Sequence, residues 1–228
     1  MNTLDVGSIV HALGLQRPVS SRLPLGNKSD PLDELFYIIL TTMTQYGVEH
    51  AFDNLKLTFP SWGQLLNADA EDKLRVVIQY CGLVNQKAPQ ILTIAQRLNA
   101  DFGEVTLDPL RQMSDSDAEA YLTSLPRVGK KVARCVMMYS LGRDVLPVDA
   151  HVLRVGKRIS LLSADLSWAK AHDRIHEVVP AELRYSVHVG LVEHGRSICR
   201  HKNPLCSECV LRHVCDYRRQ QGSSVGAE

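Results

Sequence analysis

No stretch of this chain alternates apolar and polar residues cleanly over several positions, whereas helical spacing recurs along its length. Asp30 followed by Pro31 reads as an N-cap with proline at the first helical position. It opens LDELFYIILTTMT, which is apolar nearly all round and is expected to be buried. Ala70 to Tyr80 and Lys87 to Asn99 read as amphipathic helices separated by a loop over Cys81 to Gln86. Ser116-Asp117-Ala118-Glu119 reads as a capping box for a short helix that must end before Pro126. A further helix is expected from Lys130 to Leu141, stopped by Gly142, and another from Ala150 to Leu162, capped by Asp149. The segment QQGSSVGAE, residues 220–228, reads as a disordered tail. With no repeat and no low-complexity linker, the pattern predicts an all-α fold.

The 228 residues suffice for one large domain or two small ones, and 45% hydrophobic with 22% charged residues is an ordinary globular composition. The longest apolar run, Leu35 to Leu40, is too short to cross a bilayer, so no membrane partner is expected. The opening MNTLDVGS lacks the basic and apolar regions of a secretory signal, which predicts a cytoplasmic setting. The six cysteines are therefore expected to be metal ligands or buried thiols rather than disulfides. Net charge is only +1, but its distribution is uneven. Arg127 to Arg158 carries eight Lys/Arg against two Asp, Arg196 to Arg219 six against two acids, and Asp101 to Leu125 six acids against one Arg. Such separation can make one basic face on a nearly neutral protein, or merely solvate helix surfaces.

Four cysteines fall within seventeen residues in the pattern C-x6-C-x2-C-x5-C: Cys199, Cys206, Cys209 and Cys215. Zinc is one candidate occupant, although its usual frameworks set two CxxC knuckles well apart. One CxxC flanked by single cysteines suits a cubane 4Fe-4S cluster, whose corners are addressed one at a time. Cys81 and Cys135 lie outside the pattern and read as small buried hydrophobes. The loop between Cys199 and Cys206 carries Arg200, His201 and Lys202, which can contact phosphate or be plain loop polarity.

In "LPRVGKKVA", a capped helix, a tight turn and a second helix make a helix–hairpin–helix. The amide groups opening the second helix can bind a backbone phosphate. Lys130 and Lys131 stand at that end, against the helix dipole, which favours the neutral amine. A neutral lysine amine can form a Schiff base with a sugar aldehyde. On these residues alone, two solvated phosphate-binding lysines are the simpler account of the pattern. Eighteen residues after Lys131 comes Asp149, a helix-start carboxylate that is expected to stay ionised. It can serve as a plain N-cap or stabilise a cationic sugar.

Taken together, "LPRVGKKVA", "VDAHVLRV" and "HGRSICRHKNPLCSECVLRHVC" resemble the endonuclease III family of helix–hairpin–helix DNA glycosylases, in order and spacing, from Asp30 to Cys215. The resemblance implies a two-domain fold with a DNA groove between the domains. One domain is a six-helix barrel over 33–143; the other joins 1–32 to 144–228 and carries a 4Fe-4S cluster on Cys199, Cys206, Cys209 and Cys215. It implies Lys131 as the nucleophile at C1′ and Asp149 as its assistant. The DNA contacts expected are Arg127, Val128, Gly129, Lys130, Gln86, Arg200 and Lys202. "CGLVNQKA" becomes a loop with Leu83 as the wedge that fills the gap left by an extruded nucleotide.

This chain departs from the family at three places. Arg127 replaces the hairpin's usual glycine, and Met43 a glutamine of the opened duplex, with Gln45 the nearest substitute for its hydrogen bonds. Met43 and Gln45 are thus the candidate base-pocket residues, and Val84 stands where the family carries a tyrosine. The function expected is a bifunctional glycosylase and AP lyase of base excision repair, removing an oxidised pyrimidine and cleaving by β-elimination. The expected substrate is double-stranded DNA with damaged bases or abasic sites, and the expected state a nucleoid-associated monomer. The alternatives are an AP lyase or monofunctional glycosylase of altered specificity, and a non-catalytic iron–sulfur DNA-binding protein.

Overall fold

A computed structural model of the chain describes residues 5–14, 27–42 and 47–223, and no strand occurs among them. The helices are α1 (Val6–Ala12), α2 (Pro31–Thr41), α3 (Val48–Thr58), α4 (Ala70–Val77), α5 (Val84–Phe102) and α6 (Asp115–Ser124). They continue as α7 (Lys130–Tyr139), α8 (Ala150–Arg158), α9 (Trp168–Val178), α10 (Arg184–Ser197) and α11 (Asp216–Ser223). The chain divides into two compact units, Gly26–Arg143 and Met1–Leu25 with Asp144–Glu228.

In the first unit α2 is the central helix, packed against α3, α5 and α7. Its start follows the local sequence: Asp30 accepts hydrogen bonds from the amides of Leu32 and Asp33, both at 2.9 Å, and Pro31 opens the first turn. The run from Leu35 to Leu40 is buried on every side, as an all-round apolar helix must be. One carboxylate is buried with it. Glu34 accepts from the Lys28 amide and from Asn27 Nδ2, both at 2.6 Å.

Several boundaries differ from the sequence expectation, each for a local reason. α4 stops at Val77 and a 3₁₀ turn, Gln79–Cys81, replaces its expected last turn. α5 begins at Val84 rather than Lys87, so Val84 to Gln86 form its first turn instead of a loop. The cause is Leu83, left-handed at φ 51°, which breaks the chain direction and lets the helix start at once. α6 is capped by Ser114, not Ser116, since the Asp117 amide donates to Ser114 Oγ and that hydroxyl pairs with the Asp117 carboxylate. The preceding Ser-x-x-acid set closes first and leaves Ser116 inside the helix. α7 ends two residues early, at Tyr139, and α8 ends at Arg158 because Ser160 turns left-handed at φ 60°. Gln220 to Ser223 complete α11 rather than belonging to a tail; residues 224–228 lie outside the described residues.

The second unit has its own core, in which Val6 and Ile9 of α1 meet Val152 and Val155 of α8, Ile175 of α9 and Leu191 of α10. α8 and α10 approach closely at Gly195, where a Cβ would sit 2.8 Å from His151 Cβ and 3.2 Å from the Arg154 guanidinium. That contact sets the spacing between the helix that starts at Asp149 and the helix that runs into Cys199.

Two outcomes are expected. Gly195→Ala lowers stability by about 1–2 kcal/mol, because His151 Cβ cannot swing aside and overpacking outweighs the gain in helix propensity; thermal unfolding measures it. The second concerns Glu34, whose carboxyl burial pushes up to about 7 from its ordinary 4.5, against hydrogen bonds from Lys28 and Asn27 and the charges of Lys131 and Lys28. A folded-state pKa above the unfolded one stabilises fully below about 4.5 and loses that contribution as pH rises through about 7. Denaturant titrations across this window are expected to show a decline on the order of 3 kcal/mol that Glu34→Gln removes.

Candidate functional site

The first set of candidate residues belongs to the unit Gly26–Arg143. α6 ends at Ser124 because Leu125, preceding Pro126, is forced into extended geometry at ψ 150°. The Val128 amide closes the turn on the Leu125 carbonyl at 3.2 Å. Arg127 keeps the left-handed backbone that a glycine would favour, with φ 57°, so the substitution is tolerated rather than reshaping the turn. Its guanidinium reaches Gln86 Oε1 at 3.0 Å, and Gln90 Nε2 donates to the Pro126 carbonyl at 2.8 Å. Two residues of α5 therefore hold the hairpin. A third tie is the ion pair of Arg134 with Glu119, at 2.6 Å from Nε, which joins α7 to α6.

At Gly129 the start of α7 carries no side-chain cap, so its first amides are offered outward. Val128 is buried, leaving only its backbone for an external contact, while Gly129, Lys130 and Arg127 are exposed. Lys131, on the first turn, is half-buried and makes no hydrogen bond or ion pair among the described residues. Its charge acts on the buried Glu34 carboxyl. A cavity of about 130 Å³ lies between Leu83, Gln86, Gln90, Arg127 and the end of α2 at Thr42. Leu83 stands 42% exposed at its rim. Val84 is half-buried; Met43 and Gln45 lie outside the described residues.

In the second unit, the segment before α8 is held through its backbone. The Leu146 amide donates to His176 Nε2 at 2.8 Å, His188 Nδ1 donates to the Pro147 carbonyl at 2.9 Å, and Trp168 Nε1 donates to the Val148 carbonyl at 3.1 Å. Asp149 follows as the N-cap, one carboxylate oxygen accepting from the Val152 amide at 2.8 Å and the other without a donor among the described residues. The sequence points to Asp149 but not to His176, His188 or Trp168, because nothing local marks a side chain that binds backbone groups some twenty to forty residues away. Lys131 and Asp149 thus belong to different units.

The four cysteines lie along one turn-rich path from the end of α10 to the start of α11, none in a disulfide. Arg158 NH1 donates to Cys199 Sγ at 3.3 Å, and the Cys215 thiol donates to the Arg158 carbonyl at 3.4 Å. His194 stands 3.5 Å from Cys209 Sγ. Burial pushes the Cys209 thiol up, and Cys199, Cys215 and Cys206 push it the same way, so the four sulfurs feel one another. Among the described residues no three Cys, His, Asp or Glu side chains are drawn close enough to hold a single metal ion. Four soft thiols near enough to act on one another are the kind of donor set that an iron–sulfur cubane takes. Arg200, His201 and Lys202 are exposed on the loop between Cys199 and Cys206.

The description "HhH-GPD superfamily base excision DNA repair protein" matches residues 38–181. Endonuclease III of Thermotoga maritima is 30% identical over 91% of this chain and 93% of its own length. A candidate DNA glycosylase of Arabidopsis thaliana is 31% identical over 78% of this chain, which spans 58% of that protein. In three dimensions the chain is similar to a trapped endonuclease III–DNA covalent intermediate, with a TM-score of 0.80, 22% identity and coverage of 97% and 99%. The family match and the full-length relative agree with the hairpin and the helical architecture: the chain belongs to the HhH-GPD superfamily of base excision DNA repair proteins, as an endonuclease III-like DNA glycosylase.

Proposed function

We propose that this glycosylase is bifunctional, with Lys131 as the nucleophile and duplex DNA bearing an oxidised pyrimidine or an abasic site as the substrate. The carrying observation is Lys131 itself: a half-buried amine at an uncapped helix start, with no hydrogen bond or ion pair among the described residues. Its lone pair attacks C1′ while the C1′–N bond breaks toward the base, which leaves with the bonding pair and takes a proton. The sugar ring then opens to an iminium on the lysine nitrogen. Loss of a C2′ proton forms the double bond and expels the oxygen at C3′, cutting the strand 3′ to the lesion.

Asp149 stabilises the cationic sugar or takes the proton from the attacking amine, through the oxygen that the Val152 amide leaves open. Phosphate is met by the amides of Val128 and Gly129 and by Lys130, Arg127, Arg200 and Lys202, with Gln86 orienting Arg127. Leu83 enters the gap left by the extruded nucleotide. Cys199, Cys206, Cys209 and Cys215 hold a 4Fe-4S cluster that fixes the basic loop of Arg200 and Lys202. Its contribution is structural, and the protein acts as a monomer.

Incubating the protein with a duplex containing one abasic site and adding borohydride is expected to give a covalent complex on a denaturing gel. Lys131→Ala is expected to abolish it; a band that persists in the variant would move the nucleophile elsewhere, first to Lys130. Comparing base release with nicking on one lesion-bearing duplex separates a bifunctional enzyme from a monofunctional glycosylase. The cluster has an independent test. Iron and acid-labile sulfide are expected together in the purified protein and are expected to fall together in Cys209→Ala, whereas zinc in their place would refute the cubane.

A further inference from the structure

Lys87 is a buried ammonium that no carboxylate accompanies among the described residues. Its three N–H groups are all used: Nζ donates to the carbonyls of Leu40 at 2.8 Å, Thr42 at 2.8 Å and Cys81 at 2.6 Å. Two of these acceptors are at the C-terminal end of α2, where unpaired carbonyls carry the negative end of the helix dipole. The third is the last residue of the 3₁₀ turn, immediately before Gly82 and Leu83. One side chain on α5 therefore ties together the end of α2 and the loop that presents Leu83.

Leu83 needs such a tie. It is left-handed at φ 51°, a conformation that L residues enter at a cost, and it stands partly exposed without a cap to hold it. A strained residue persists only where its surroundings over-determine it. The Cys81 carbonyl on one side and the amides of Gln86 and Lys87 bonded back to the Leu83 carbonyl, at 2.8 and 2.9 Å, on the other supply that constraint.

We propose that Lys87 is the positioning residue for Leu83, holding it in place before DNA arrives by fixing the Cys81 carbonyl to the end of α2. This rests on the reading of Leu83 as the side chain that enters the duplex. The ammonium is chosen over an amide because only a tetrahedral nitrogen can address three carbonyls from one point. An aliphatic side chain would take this donor from all three, two of them buried.

The test uses the full-length protein and a duplex with 2-aminopurine opposite a non-cleavable abasic-site analogue, whose emission rises as the orphaned base loses its stacking. Leu83→Ala, Lys87→Met and the double variant are compared, with far-ultraviolet circular dichroism confirming that each is folded. Each single variant is expected to need about tenfold more protein for the same emission rise, since the clamp offsets a left-handed strain of that order. The double variant is expected to lose no more than Lys87→Met alone. A folded Lys87→Met with a wild-type response, beside a defective Leu83→Ala, would overturn the assignment of Lys87. So would losses that multiply in the double variant, which would make the lysine an independent structural element. A wild-type response from Leu83→Ala would instead remove the wedge reading itself, and the inference with it. If Lys87→Met does not fold, Lys87→Gln, which can donate to two of the three carbonyls, carries the same test. A partial loss is then expected, and an unchanged response overturns the proposal.

Discussion

An all-helical protein must satisfy the backbone of its connecting segments without a sheet to do it, and in this chain long-range side chains take that role. Lys87 binds the carbonyls of Leu40, Thr42 and Cys81; Gln90 binds that of Pro126; His188 and Trp168 bind those of Pro147 and Val148. Arg154 binds Gly195 and Cys199, and Arg158 binds Arg200 and His201. Buried or half-buried carbonyls without partners cost free energy, so each of these side chains also selects one path for the loop it holds. Those loops present the hairpin, Leu83, Asp149 and the cysteines. The chemistry therefore sits on irregular backbone whose rigidity comes from donors on neighbouring helices rather than from the loops' own sequence.

That division explains what could be read from the sequence. Asp30-Pro31 and Asp149 could be placed because a cap is a local device, satisfied within three residues. The cysteine spacing and the hairpin were visible for the same reason. Ser116 was misread because two overlapping Ser-x-x-acid sets compete, and only the structure says that Ser114 closes on Asp117. The start of α5 was placed three residues late, since a left-handed leucine leaves no compositional mark where a glycine would. Lys87 looked like any helical lysine. Its role depends on acceptors contributed by residues 40, 42 and 81, and no spacing rule connects them. Trp168 and His188 were invisible for the same reason.

The hairpin shows how a departure from a family pattern can be absorbed. Arg127 adopts the backbone that its glycine counterpart would favour and recovers part of the strain through Gln86. With Leu83, it places two left-handed non-glycine residues on the rim of one small cavity. Strained positions of this kind gather where a surface must be held ready for a ligand. Glu34 sits within electrostatic reach of Lys131, with a carboxyl that burial pushes up to about 7. A charge that the proposed nucleophile feels therefore changes near neutral pH.

The chain has two tryptophans, and their surroundings differ. Trp62 is buried, its indole N–H on Asp33 at 2.7 Å and its ring beneath the Lys56 ammonium at 4.5 Å. Trp168 is 48% exposed, with its N–H on the carbonyl one residue before Asp149. The protein thus contains its own optical label: red-edge emission comes from an indole bonded to the segment that carries the proposed catalytic carboxylate, while the blue component reports only the interior of the other unit.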